Sequence, residues 1–146
     1  MIPLKEKRRF IRHPICYPLE FEHVPHKISQ KTKTLNVSEG GLLFLSKYVL
    51  REGDAIILKL VLQNKLFKVR AKVMHVSRDE DSKLYNIGVA FYRYSDAFKI
   101  KLIEQIYLID EYRILRSVQV GRDIPLREAS EEWIKRYSKR FARLYW

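Results

Sequence analysis

The sequence predicts a mainly β fold in which six short antiparallel strands form a barrel or sandwich, followed by two helices. Three observations carry this. Between residues 15 and 92 apolar and polar side chains alternate in short runs broken by turn-forming residues. No helical pattern separates those runs, so the crossovers that a parallel sheet requires are absent. At Ser95 the period changes, and apolar residues then recur every three or four positions.

Residues 15–22 alternate only in part, and Pro18 places them at an edge or a bulge, because proline cannot donate to a strand ladder. Lys27–Val37 is rich in Thr, Lys and Ser and reads as a polar strand; Gly41–Ser46 is short and apolar. Gly53–Gln63 and Leu66–Ser77 flank Asn64-Lys65, a two-residue hairpin turn. A charged turn over Arg78–Lys83 leads to the last strand, Leu84–Tyr92. Ser95 is the N-cap of a helix whose face is Phe98, Leu102, Ile106, Ile109 and Arg113, widened by Ile103 and Leu108. Gly121–Pro125 breaks that helix. A second runs roughly from residue 126 to 145, with Ala129, Trp133, Tyr137, Phe141 and Leu144 on one side.

The chain has 146 residues, room for one domain of ordinary size, and is 47% hydrophobic, enough for a real core. Its net charge of +12 argues for a polyanionic partner: a nucleotide, nucleic acid or an anionic membrane surface. Residues 1–12 carry five Lys or Arg against one acid, and residues 111–146 nine against five, so the excess positive charge is densest at the termini. Cys16 is the single cysteine, which excludes an intrachain disulfide and a multi-cysteine metal cluster. The four histidines are too scattered for a metal site, and Asp79-Glu80-Asp81 reads as a solvated turn. No nucleophile and base stand at catalytic spacing, so the sequence points to a non-enzyme. No apolar run approaches the ~20 residues that cross a bilayer, and no hydrophobic segment follows the basic N-terminus, so the expected location is cytoplasmic.

Two stretches carry the functional signal. Arg8, Arg9 and Arg12 place three planar, permanently charged guanidinium forks within five residues, a geometry suited to phosphate oxygens and to the O6/N7 edge of guanine. Asn36 and Ser38 are small polar side chains on alternate positions, so in an extended strand they share a face. Gly40 and Gly41 follow, where the backbone can turn sharply or approach a ligand closely.

Arg8-x-x-x-Arg12 followed by Asn36-x-Ser38-x-x-Gly41 resembles the two-part signature of the PilZ domain, the bacterial receptor module for cyclic di-GMP. Glu52–Leu60, Ala71–Val76 and Asn86–Phe91 are similar to later strands of that family, so the resemblance spans roughly residues 7–110. It implies a six-stranded antiparallel barrel capped by a helix. It also implies a ligand, cyclic di-GMP, bound without a further cofactor. By that resemblance Arg8 and Arg12 bind phosphate or the guanine O6/N7 edge, with Arg9 added for charge or stacking. Asn36 bonds a guanine's Watson–Crick edge or holds an arginine, Ser38 adds a polar contact, and Gly41 with Gly40 shapes the turn.

The expected organisation is a binding domain over residues 1–118 and a basic amphipathic helical extension over 119–146. The extension would fold back on the barrel, form a homodimer, or contact a protein effector or an anionic membrane surface. The expected function is a receptor that converts cyclic di-GMP binding into a changed protein–protein contact by ordering the N-terminal arginine segment. The alternative is a nucleic-acid-binding basic barrel, with charged ends on phosphates and aromatic side chains stacked on bases.

Overall fold

The computed structural model describes residues 11–62 and 65–137. Its elements are β1 (Pro18–His23), β2 (Ile28–Val37), β3 (Gly41–Ser46), β4 (Ala55–Leu62), β5 (Lys65–Arg78), β6 (Tyr85–Arg93), α1 (Asp96–Val120) and α2 (Leu126–Tyr137). All neighbouring strands are antiparallel, and they close a barrel in the order β1-β2-β3-β6-β5-β4, with β4 returning to pair with β1. Of the barrel and sandwich that alternation left open, the barrel is the outcome, and its closure leaves no edge exposed.

Alternation places the core. On β4 the inward side chains are Ile56, Leu58, Leu60 and Leu62; on β5 they are Phe67, Val69, Ala71 and Val73; all are buried. Phe21 and Phe44 meet at 4.9 Å between ring centroids in the barrel interior. Two strand boundaries differ from the sequence reading. β1 begins at Pro18, where a missing N–H costs least, and residues 13–17 instead run beside the end of β2. Leu62 pairs with Lys65, so the β4–β5 connection is residues 63 and 64, one position earlier than Asn64-Lys65, and lies outside the described residues.

Ser95 caps α1 as expected: its Oγ accepts from the Phe98 amide at 3.1 Å. Phe98 lies edge-on to Phe67 and Phe91, each at 5.4 Å, and makes an aromatic plug across the barrel mouth with Leu102. Ile103 and Leu108 do not widen that face. Ile103 lies one helical step of ~100° past buried Leu102, Leu108 lies one step before buried Ile109, and both are exposed. At the other end Gly121 takes φ 74°, the left-handed conformation that glycine adopts without strain, and its N–H donates to Ser117 O.

α2 starts at the residue after Pro125 and folds back. Ile134 joins the barrel's apolar cluster, Leu126 and Trp133 pack against it, and Ala129 is fully buried. Glu132 accepts from Tyr112 Oη and Arg116 Nε, both at 3.3 Å, which ties α2 to α1. Of the terminal apolar stripe, Trp133 is thus committed to this chain's own core, while Phe141 and Leu144 lie outside the described residues. The same is true of Lys139, Arg140 and Arg143; Lys135 and Arg136 are exposed.

Two glycines of the barrel wall have different tolerances. Gly41 does not need a positive φ; instead a Cβ there would lie 2.0 Å from Val89 O on β6. At Gly88 a Cβ would meet His75 Cβ at 3.5 Å, an ordinary contact. Gly41→Ala must therefore part β3 from β6 and is expected to cost about 2–3 kcal/mol in chemical denaturation, as overpacking does. Gly88→Ala should stay within about 0.5 kcal/mol of the parent. Equal stabilities for the two variants would refute this account of the β3–β6 contact.

Candidate functional site

One residue pair assembles the site. His13 N donates to Val37 O at 2.8 Å, and Val37 N donates to His13 O at 2.9 Å. Buried Thr34 fixes the chain that follows. Its Oγ1 accepts from Tyr17 N at 2.7 Å and donates to Ile15 O at 2.6 Å. Arg12, the neighbour of His13, is thereby held beside the end of β2, where Val37 points into the core between Asn36 and Ser38.

Asn36 faces outward because β2 is irregular there. Thr32 and Thr34 point inward, and strict alternation would send Asn36 in after them. A bulge between Thr34 and Asn36 changes the phase, so that Val37 takes the inward place and Asn36 and Ser38 share the outer face. A second bulge on β5, between Val73 and His75, does the same for His75. Across the wall Leu43 pairs with Gly88 and Gly88 with His75, so a residue without a side chain lies between two large ones.

The result is an open hollow of about 510 Å³ on the outer face of the barrel. It is lined by Arg12, Asn36, Ser38, Gly40 and Gly41, with Leu43 paired to Asn36 and Ala90 paired to Gly41, and by Met74, His75 and Gly88 further along the wall. That volume falls in the range of small-molecule sites. None of these lining residues is acidic, so the Arg12 guanidinium faces the hollow without a competing carboxylate in the lining. Leu43, Met74 and Ala90 offer apolar surface suited to the face of a base.

The hydroxyl of Ser38 has limited freedom. It donates to Gly41 O at 3.2 Å and accepts from Gly40 N at 3.3 Å, closing the β2–β3 turn. One lone pair remains, so with the turn intact Ser38 can only accept from a ligand. Asn36 is half-buried and presents both an acceptor and a donor. Behind the hollow, buried Cys16 donates its backbone N–H to Ser130 Oγ on α2 at 3.0 Å, and Arg127 of α2 donates to Leu35 O. Burial pushes the Cys16 thiol up from its ordinary range, and neighbouring Glu131 adds to this while Lys33 and Arg127 oppose it.

Four sequence-predicted residues, Arg12, Asn36, Ser38 and Gly41, therefore meet at one hollow; Arg8 and Arg9 lie outside the described residues. The sequence reading missed Leu43, Met74, His75, Gly88 and Ala90. Two signals were present: a lone glycine inside a strand pattern, and the skipped beat between inward Val73 and half-buried Val76. Among the described residues no three His, Cys, Asp or Glu side chains are grouped to hold a metal, and no helix is long and apolar enough to cross a membrane.

Comparison with known proteins bears on the fold and the family. The PilZ domain pattern matches residues 6–108. No curated protein matches the chain. Among solved structures, YcgR of Escherichia coli in complex with c-di-GMP is similar at TM-score 0.64 and 18% identity, over 79% of this chain and 51% of that one. The isolated PilZ domain of YcgR with c-di-GMP matches at TM-score 0.60 and 17% identity, over 77% of this chain and 98% of that one. The Bacillus subtilis inhibitor of motility, MotI/DgrA, matches at TM-score 0.60 and 15% identity, over 73% and 52%. The chain thus spans about half the length of the two larger proteins, and at these identities the likeness is one of fold. The matched pattern covers more than two thirds of the sequence and includes both halves of the arginine and Asn/Ser signature: this chain belongs to the PilZ domain family.

Proposed function

We propose that the chain is a receptor for cyclic di-GMP, bound across the hollow, and that it works as a switch without chemistry of its own. The observation that carries this reading is the convergence of Arg12, Asn36 and Ser38 on one open, acid-free hollow in a PilZ domain. The c-di-GMP bound to the PilZ domain of YcgR supports the choice of ligand. Arg8, Arg9 and Arg12 neutralise the two phosphates or fork onto a guanine O6/N7 edge, Asn36 and Ser38 meet base-edge donors, and Gly41 keeps the turn tight against β6. The binding surface falls within residues 1–118.

Binding then closes the arginine segment over the hollow. His13 is already tied to Val37, so it is the fixed end about which residues 5–12 move. Two phosphates offset the mutual repulsion of three guanidinium groups and hold that segment against the Asn36/Ser38 face. Hydrogen exchange at residues 5–12 should slow sharply when cyclic di-GMP is added, with little change at His13. Full protection of 5–12 before ligand is added would rule out this form of the switch.

The same groups predict the energetics. Arg12→Ala should weaken cyclic di-GMP about tenfold to a hundredfold in calorimetric titration, the value of a charge-assisted hydrogen bond of ~1.5–3 kcal/mol. Lys7→Ala should change affinity about twofold or less. Asn36→Ala should also weaken binding, with the ligand-free thermal midpoint nearly unchanged. A nucleic-acid-binding barrel would instead bind mixed oligonucleotides, with affinity falling steeply as salt rises, and would treat Lys7 and Arg12 alike.

The output we propose is a protein contact through α1, the occupant being a second copy of the chain. Eight of the fifteen exposed large apolar side chains among the described residues lie on this helix, including Ile103, Tyr107, Ile114, Leu115 and Val118. Its four cations (Lys99, Lys101, Arg113 and Arg116) are matched by four acids (Asp96, Glu104, Asp110 and Glu111). On a chain of net charge +12, a neutral apolar face is where two copies can meet with least repulsion. Leu115→Glu with Val118→Glu should lower the sedimenting mass while leaving cyclic di-GMP affinity within about twofold. A parent chain that stays monomeric at high concentration, with and without ligand, would sink this assignment.

A further inference from the structure

We infer that α2 is a clamp on the ligand hollow and that Arg127 is its positioning residue, a role that rests on reading the hollow as the cyclic di-GMP site. The bulge that turns Asn36 outward has a local cost. Thr34 pairs with Phe44 and Asn36 with Leu43, so Leu35, between them, has no partner of its own in the β2–β3 register. A carbonyl left out of a ladder needs another donor. Arg127 supplies it from α2, through Nη2 to Leu35 O. The atom that completes the bulge thus comes from a helix more than ninety positions away in sequence.

The same turn of α2 holds the other half of the site. Ser130 Oγ accepts from Cys16 N at 3.0 Å and donates to Arg127 O at 2.7 Å, so both contacts belong to one hydrogen-bonded unit. Cys16 lies four residues beyond Arg12, and Leu35 is next to Asn36. Ser130 and its neighbour Ala129 are fully buried, so this turn cannot shift without opening the packing around it. α2 therefore spans the two segments whose mutual position defines the hollow. By linkage, if α2 docking favours the binding-competent arrangement, ligand must favour α2 docking by the same factor. The helix is both a brace and a place where occupancy is felt.

Arg127→Met keeps the aliphatic stem and removes the donor; Arg127→Lys keeps a donor. Calorimetry with cyclic di-GMP should give about a tenfold loss for Arg127→Met and no more than about threefold for Arg127→Lys. If Arg127 acts through Asn36, Arg127→Met placed in an Asn36→Ala background should cost less than about twofold further. A merely structural role would not produce that non-additivity. Wild-type affinity in Arg127→Met, or full additivity in the double variant, would overturn the inference. A second measurement needs no ligand: hydrogen exchange at the His13 and Val37 amides should quicken in Arg127→Met and recover in Arg127→Lys. Unchanged exchange there overturns the clamp. Failure of the parent chain to bind cyclic di-GMP, with that exchange response intact, would overturn the choice of ligand and leave the clamp standing.

Discussion

The paired backbone bonds between His13 and Val37 are the constraint on which the rest of the site depends. Arg12 is the neighbour of His13, so the tie at His13 decides which part of the barrel its guanidinium can reach. The tie falls between Asn36 and Ser38, at a residue whose own side chain is locked in the core. Position is thus transmitted from a buried core residue to the exposed Arg12 in two steps. Thr34, using one hydroxyl as both donor and acceptor, keeps the following residues in line and removes the choice of an alternative register.

The barrel was legible because its signal is local. Alternation in β4 and β5, the helical period after Ser95 and the Ser95 cap each depend on residues close in sequence, and each appears where those residues place it. The candidate site was legible in part: Arg12, Asn36, Ser38 and Gly41 could be named, but not the rest of the wall around them. That wall depends on two bulges, and a bulge is decided by which strand lies alongside. That Met74 and His75 both turn outward follows from the pairing of Val73 with Val89 and His75 with Gly88, which leaves Met74 as the extra residue. The contribution of α2 was hidden for the same reason, since nothing near Arg127 in the sequence announces that its target is Leu35 O.

Charge acts at two ranges. The excess of +12 raises the local concentration of any polyanion and cannot by itself choose among them. Selection needs the short-range set, a guanidinium next to an amide and a half-satisfied hydroxyl, held at fixed spacing along one apolar wall. α1 shows the complementary arrangement, with balanced charge around exposed apolar residues. The molecule therefore separates an acid-free hollow that carries a guanidinium from a charge-balanced helix with exposed apolar side chains.

The identity of residue 36 sharpens the chemistry further. An aspartate there would offer only acceptors and would carry a charge opposing the arginines' preference for phosphate in the same hollow. Asparagine keeps one acceptor for a guanine N–H and adds donors that a phosphate oxygen or guanine O6 can use. With Ser38 reduced to a single acceptor by its own turn, the polar face of β2 then presents a mixed set, not a purely acceptor one. Such a set can meet a base edge in more than one orientation. In the proposed complex the ligand is then fixed by the arginines, whose forks suit phosphate or the O6/N7 edge. Specificity in that complex would be shared between the strand, which offers a permissive edge, and the arginine beside His13, which offers the stricter one.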